Sequence, residues 1–437
     1  MRRSLLSVFL ILPLAVVVWP VKSVDAQPAS SGKIIYSFQG GADGEYPYSD
    51  LAIDAAGNLY GTTSQGGIDC GGYGCGTVFE LAHTKDGWTH QVLHKFASTS
   101  LRSSPDGSYP TAGVVFDSSG NLYGTTESGG KSGCGTVFKL APNSNGGWQE
   151  SILYAFGCNP DGRQPNGDLV FDSQGNLYGT TFGGGTGTGF CGGSDSAFFG
   201  CGTAFRLSLN PDGSWSETTI YNFQGSPDAA IPVDALVPDG KGGFYGASEY
   251  GGAGPCSTGH GEFDPPDGCS AVFELTPAGA GWTESVIYSF FRGRGFARNP
   301  SGGFIVGGPN VLFGASSSGG NGFGSIFRLE DSGKGWNQDI LHRFCGDPDG
   351  RGPVGRLAKG SQNTWFGVTR SGGANRDGTV FALISTKAGW EERVLFNFES
   401  GPDFPEAGPA VDSQGHVYGT TLEGGSKSYG SVYEVIP

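Results

Sequence analysis

The sequence predicts an all-β protein: a seven-bladed β-propeller of four-stranded antiparallel blades, its ring closed by the N-terminal strand completing the last blade. Three observations predict it. A short phrase recurs seven times, each recurrence holds four strand-like runs, and the chain starts with a strand that its end lacks.

The phrase is clearest as GNLYGTT at Gly57–Thr63, Gly120–Thr126 and Gly175–Thr181, and as GHVYGTT at Gly415–Thr421. Aligned on its aromatic residue it falls at Tyr60, Tyr123, Tyr178, Tyr245, Phe313, Phe366 and Tyr418, with intervals of 63, 55, 67, 68, 53 and 52 residues. Repeats of that length mark propellers and solenoids. In the second unit the runs are AGVVFD, NLYGTT, GTVFKL and ESILYAF, and no unit shows a 3.6-residue apolar period. DSSGN and DSQGN read as tight hairpins between the first two runs, and APNSNGGW joins the third to the fourth. Four antiparallel strands repeated seven times describe a propeller.

The two ends decide between a ring and an open solenoid. The last unit stops after its third run, GSVYEVIP, while an orphan fourth run, KIIYSF at Lys33–Phe38, precedes the first unit. That orphan completes the seventh blade. NLYGTT then becomes the second strand of each blade, buried on both faces. Phe313 and Phe366 at the Tyr position assign the aromatic to packing rather than hydroxyl chemistry. The Gly pairs that follow, from Gly66-Gly67 to Gly424-Gly425, precede no helix, so they read as positive-φ turns and not as phosphate loops.

Residues 1–26 read as a secretory signal, with Arg2 and Arg3, an apolar run, and a small-residue site at Val24-Asp25-Ala26. An uncleaved membrane anchor is the alternative; Pro13, Pro20 and the shortness of the run weigh against it. Residues 27–32 form a short linker and 33–437 one propeller domain. Cleavage removes Arg2, Arg3 and Lys22 against Asp25, taking the formal charge from −15 to −17. Such a surface repels nucleic acid and anionic lipid. The expectation is a secreted or periplasmic monomer without membrane or nucleic-acid partner, cofactor or metal. Glycine at 81 of 437 residues beside a 37% apolar content argues for many turns between short strands rather than disorder.

The wider phrase GNLYGTT..GG....GTVF.L resembles the GloVer (Gloeo/Verruco) tandem repeat of secreted bacterial proteins that carry a choice of C-terminal anchors. The resemblance covers nearly all of the mature chain. It implies a secreted or surface β-repeat protein and transfers no catalytic residue. This chain differs from anchored members in ending at Pro437 directly after a strand, so release into the periplasm or medium is expected.

Nine cysteines in an exported chain suggest four bridges and one leftover. Cys70 with Cys75, Cys191 with Cys201, and Cys256 with Cys269 would each tether a loop between second and third strands. Cys134 and Cys158 would meet across a blade end, leaving Cys345 free. Zinc is the alternative, disfavoured by irregular spacing and scarce histidine.

Loops after second strands and loops after fourth strands share one face of the disc. Asp43, Asp106, Asp161, Asp228, Asp349 and Asp403 sit in the fourth-to-first loops, where turn chemistry explains them more simply than calcium. His94 and His342 replace the Tyr of ILYAF and read as structural. The repeat breaks at three neighbouring places on this face. Blade three inserts a loop with Phe190, Phe198 and Phe199; blade four inserts one with His260, Glu262, Phe263, Asp264 and Asp267; the next loop carries Arg292, Arg294 and Arg298. These form the candidate ligand site, the alternative being tethered loops whose charges pair with one another.

Two functions remain open. One is a binding protein for a glycan or an extracellular protein partner. The other is a polysaccharide lyase or hydrolase using His260 or Glu262 as acid and base with an Arg as charge stabiliser. No nucleophile elbow, zincin motif or dinucleotide fingerprint is present, so no catalytic residue is assigned.

Overall fold

The structure, a computed structural model, describes residues 30–68, 70, 72–97, 104–187, 191, 200–253, 270–290, 297–319, 322–361, 363–399 and 403–437. Among them the strands form seven antiparallel sheets of four or five strands, each sheet running from the centre of the ring to its rim. The first blade is Ala52–Ile53, Leu59–Thr63, Thr77–Thr84 and Gly87–Lys95. The two five-stranded sheets arise where the innermost strand is interrupted, as Gly162–Pro165 and Val170–Phe171 in blade three.

Closure follows the expectation. Ser31–Ser37 pairs antiparallel with Ser431–Ile436, from Ser31 opposite Ile436 to Ser37 opposite Ser431, and supplies the outer strand of the last blade. Between blades, an outer-strand tryptophan packs on the second-strand aromatic of the blade before it: Trp148 on Tyr60, Trp215 on Tyr123, Trp336 on Tyr245. Trp88 on Tyr418, 5.8 Å between ring centres, is the same contact made from first blade to last.

Every residue of the heptapeptide has a task. Gly57 takes φ of 86° in the hairpin, and Asp54 closes that hairpin by accepting the N–H groups of Ala56 and Asn58, the Asn58 amide and the Tyr60 hydroxyl. Leu59 is fully buried. Gly61 lies beneath the Phe79 ring, where a Cβ would stand 2.8 Å from its tip. Thr62 donates to the Ala112 carbonyl of the next blade, and the Thr63 and Thr77 hydroxyls bond at 2.8 Å. The tyrosine hydroxyls are therefore used, which packing alone did not anticipate. The same Asp–Tyr bond joins Asp117 to Tyr123 and Asp172 to Tyr178. Blades five and six lose both partners together: Phe313 and Phe366 lie over Gly307 and Gly360, which stand where the Asp would be.

The loop aspartates do more than turn the chain. Asp43, Asp161, Asp228 and Asp349 accept backbone N–H groups within their own loops, as turn residues should. Each also receives the outer-strand residue of its own blade: Tyr36 at 2.7 Å, Tyr154 at 2.9 Å, Tyr221 at 3.0 Å and His342 at 3.1 Å. His94 meets Asp106 likewise. From the following blade a second group faces the aspartate: His90 at Asp43, and Glu150, Glu217, Glu284 and Glu392 at Asp106, Asp161, Asp228 and Asp349. These latches join blade to blade on the loop face.

Burial chiefly, with the facing aspartate adding to it, pushes Glu150 and Glu217 up to about 7, Glu392 to about 8 and Glu284 to about 9. The folded protein thus holds protons that the unfolded chain releases near pH 4.3. Stability from these groups is full below that value and is lost as pH rises through 7 to 9. The melting temperature is accordingly expected to fall between pH 6 and pH 9. Changing all four glutamates to Gln, the residue already present as Gln338 in blade five, should flatten most of the fall. A melting temperature that rises across this window would contradict the latches as described.

The third-strand aromatic is Phe in six blades and Tyr433 in the last. Its hydroxyl is fully buried and has no hydrogen-bond partner. Tyr433→Phe should therefore stabilise the protein by about 1 kcal/mol, measured by urea denaturation, because an unsatisfied buried hydroxyl keeps its desolvation cost.

Candidate functional site

The seven innermost strands line a central channel. At one level of the ring, three residues ahead of the first-strand residue opposite Leu59 and its counterparts, stand Asp50, Gly113, Asp168, Ala235, Gly303, Arg356 and Gly408. Asp234 precedes Ala235. Three carboxylates and one guanidinium thus meet where the other four of the seven positions are glycine or alanine.

Each carboxylate is anchored by backbone. Gly408 N–H donates to Asp50 at 2.6 Å, Gly113 N–H to Asp168 at 2.6 Å, and Ala235 N–H to Asp234 at 3.0 Å. Two of these bonds come from a neighbouring blade, so the carboxylates fix the ring and the ring fixes the carboxylates. The Arg356 guanidinium stands 3.7 Å from Asp50, too far for a hydrogen bond. Channel water still reaches the pair, since the Arg356 side chain is 40% exposed and that of Asp50 21%.

The charges act on one another at short range. Burial first, and then the charge of Asp168, pushes Asp50 up to about 8; Arg356 and the Gly408 N–H pull the other way. Asp234 is raised by the same two causes. Burial works against the charge on Arg356, but the three carboxylates outweigh it and hold the guanidinium protonated.

On the loop face this level is the floor of a cavity of about 340 Å³. Its wall carries Tyr48, Thr111, Asn166, Arg370 and Glu406. Tyr48 is 43% exposed, and Arg370 pairs with Glu406 at 2.7 Å. The Asn166 side-chain oxygen is sealed from water without a hydrogen-bond partner. Beyond the floor lie cavities of about 410 and 230 Å³ with more apolar walls, including Leu51, Phe304 and Leu357 in one and Val115, Leu169 and Leu236 in the other. The arrangement gives fixed acceptors beside unsaturated donors in a polar bowl. It suits a ligand that both donates and accepts hydrogen bonds. A cation is poorly served with Arg356 in its midst.

The sequence-based site lies elsewhere on the chain. Phe190, Phe198, Phe199, His260, Glu262, Phe263, Asp264, Asp267, Arg292 and Arg294 fall outside the described residues. Of Arg298 the backbone is described, in the short strand Ala297–Pro300 with Arg298 opposite Ser318. The channel residues escaped sequence reasoning, although a signal existed. The first strands read D, G, D, A, G, R and G at one repeat position, and a position that varies in charge inside a repeat is free of the packing that keeps the others alike.

Three predicted bridges are formed, Cys70–Cys75, Cys134–Cys158 and Cys191–Cys201, with Cα separations of 5.3, 5.5 and 5.0 Å. Cys256 and Cys269 lie outside the described residues, and Cys345 is unbridged and exposed. Titration of the unfolded, unreduced protein should find one thiol, mapped to Cys345 by alkylation. Alkylation at Cys134 or Cys158 would contradict the bridge across the second blade.

The model of the Gloeobacter/Verrucomicrobia repeat matches residues 24–260 and 260–437. No curated protein matches the chain. Among solved structures it is similar to a candidate 6-phosphogluconolactonase from Bacteroides fragilis, at 13% identity and a TM-score of 0.49 over 81% of this chain and 84% of that one. It is similar also to a candidate oxidoreductase (glucose dehydrogenase) from Thermus thermophilus, at 15% identity and 0.41 over 93% and 100%. YjhT matches at 14% identity and 0.42 over 82% and 99%. At that level of likeness neither activity nor ligand transfers.

Proposed function

The chain belongs to the Gloeobacter/Verrucomicrobia repeat family, and on that premise we propose that it is a secreted, non-catalytic propeller that binds a glycan through its loop face. One observation carries the proposal: the channel floor, where the Arg356 guanidinium finds no hydrogen-bond acceptor among the described residues and stands beside three backbone-anchored carboxylates. Neighbouring sugar hydroxyls donate and accept at once, so fixed carboxylates and a planar guanidinium suit them together. Tyr48 at the rim offers a flat apolar ring for a sugar face. The irregular loops with Phe190, Phe198, Phe199, Arg292 and Arg294 would extend the contact outward over blades three to five.

Export is consistent with the bridges, which persist in oxidising compartments. Among the described residues no helix is long and apolar enough to cross a membrane.

The test is a glycan array followed by calorimetry with the best ligand. Arg356→Ala and Asp168→Asn should each weaken binding at least tenfold, while Asp212→Ala, in an exposed hairpin on the opposite face, should leave it unchanged. Unaltered affinity in both channel variants would remove the channel from the site. Product release that stops in Asp50→Asn would replace binding with hydrolysis.

A further inference from the structure

We propose that the interface between the fifth and sixth blades is a binding site for a divalent transition-metal ion of the zinc type, ligated by His342, Asp349 and Glu392. The three residues come from three elements: the outer strand Trp336–Arg343, the loop after it, and the outer strand Gly389–Asn397 of the next blade. One ligand atom from each lies within 4.8 Å of the other two.

The other latches serve as internal controls, because the same positions are occupied differently around the ring. Tyr154 and Tyr221 stand at the His342 position and close on Asp161 and Asp228 through a phenol, which is protonated at neutral pH and does not ligate. His94, Asp106 and Glu150 repeat the residue types, with His94 3.4 Å from Asp106, but the three do not draw together to the same extent. Gln338, at the Glu392 position in blade five, accepts the Ala297 N–H and needs no counter-charge.

At His342 the parts are already oriented. Nε2 faces Asp349 Oδ2 at 3.1 Å, and the ring stands edge-on to Phe344. Asp349 is held by the Cys345 N–H, at 3.0 and 3.3 Å. Glu392 Oε1 is buried and has no hydrogen-bond partner, although it belongs to a carboxyl facing another carboxylate. An ion between them takes the place of the proton that Glu392 otherwise holds. Zinc ligands sit at roughly 2.0–2.2 Å, which places ligand atoms about 3.3 Å apart, so side-chain shifts of about 1 Å close the site. One imidazole with two carboxylates favours zinc over calcium or magnesium, which prefer all-oxygen shells. All three residues are partly exposed, leaving a further coordination position for water.

The experiment uses the untagged full chain, stripped with chelator and titrated with Zn²⁺ alone by calorimetry and thermal melting. One saturable site per chain and a raised melting temperature are expected. His342→Ala and Glu392→Gln should each weaken binding at least tenfold, and His94→Ala should leave it intact. Glu392→Gln guards against a folding artefact, because Gln338 shows the residue is accommodated there; circular dichroism without metal checks it. Absence of saturable binding in the parent protein, or affinity unchanged in folded Glu392→Gln, overturns the site.

Discussion

Crowding of the seven inner strands around the channel is the constraint on which the remainder of the molecule depends. The strands approach so closely that several positions admit no side chain. A Cβ at Gly408 would run into the Arg356 backbone, one at Gly355 into Gly408, and one at Gly167 into Asp234, each on a neighbouring blade. With the backbone packed this tightly, the few side chains that do reach the channel are held at a set distance from one another. Asp50, Asp168, Asp234 and Arg356 therefore share one small space and shift one another's ionisation, although they are far apart in the chain.

The same geometry divides labour across the radius. Near the axis, backbone N–H groups of Gly408 and Gly113 tie carboxylates to the next blade. In mid-blade, the second strand takes the third-strand ring over its glycine and a tryptophan from the following blade on its aromatic. At the rim, loop aspartates gather a Tyr or His from their own blade and a Glu or His from the next. Each layer joins neighbouring blades, so a blade can change its loops without loosening the ring. Function is free to reside in the mouth of the channel and in loops above it.

Much of the fold was legible because a repeat multiplies weak signals. A single GNLYGTT is an ambiguous strand, whereas seven of them with a surplus strand at one end and a deficit at the other specify a closed ring. The bridges were legible where both cysteines belong to one loop or one blade end. The channel was not, because Asp50 and Arg356 become neighbours only through closure, and its one trace, a first-strand position that varies in charge from repeat to repeat, does not say which residues meet. The Asp–Tyr bond was missed although its evidence lay in the chain: Gly307 and Gly360 replace the aspartate wherever Phe replaces Tyr. The insertions around Phe198 and His260 have no counterpart in other units, so the repeat offers no register by which to place their side chains.

The crowding can be measured with two glycines of one ring that differ in the space beside them. A Cβ on Gly408 meets the backbone of Arg356, while one on Gly308 meets nothing within 4 Å, and neither residue has the positive φ that would penalise alanine by itself. Thermal denaturation of Gly408→Ala and Gly308→Ala compares them directly. Crowding predicts that Gly408→Ala loses about 1–3 kcal/mol, as overpacked sites do, and that Gly308→Ala is neutral or slightly stabilised. Equal melting temperatures for the two variants would contradict the account.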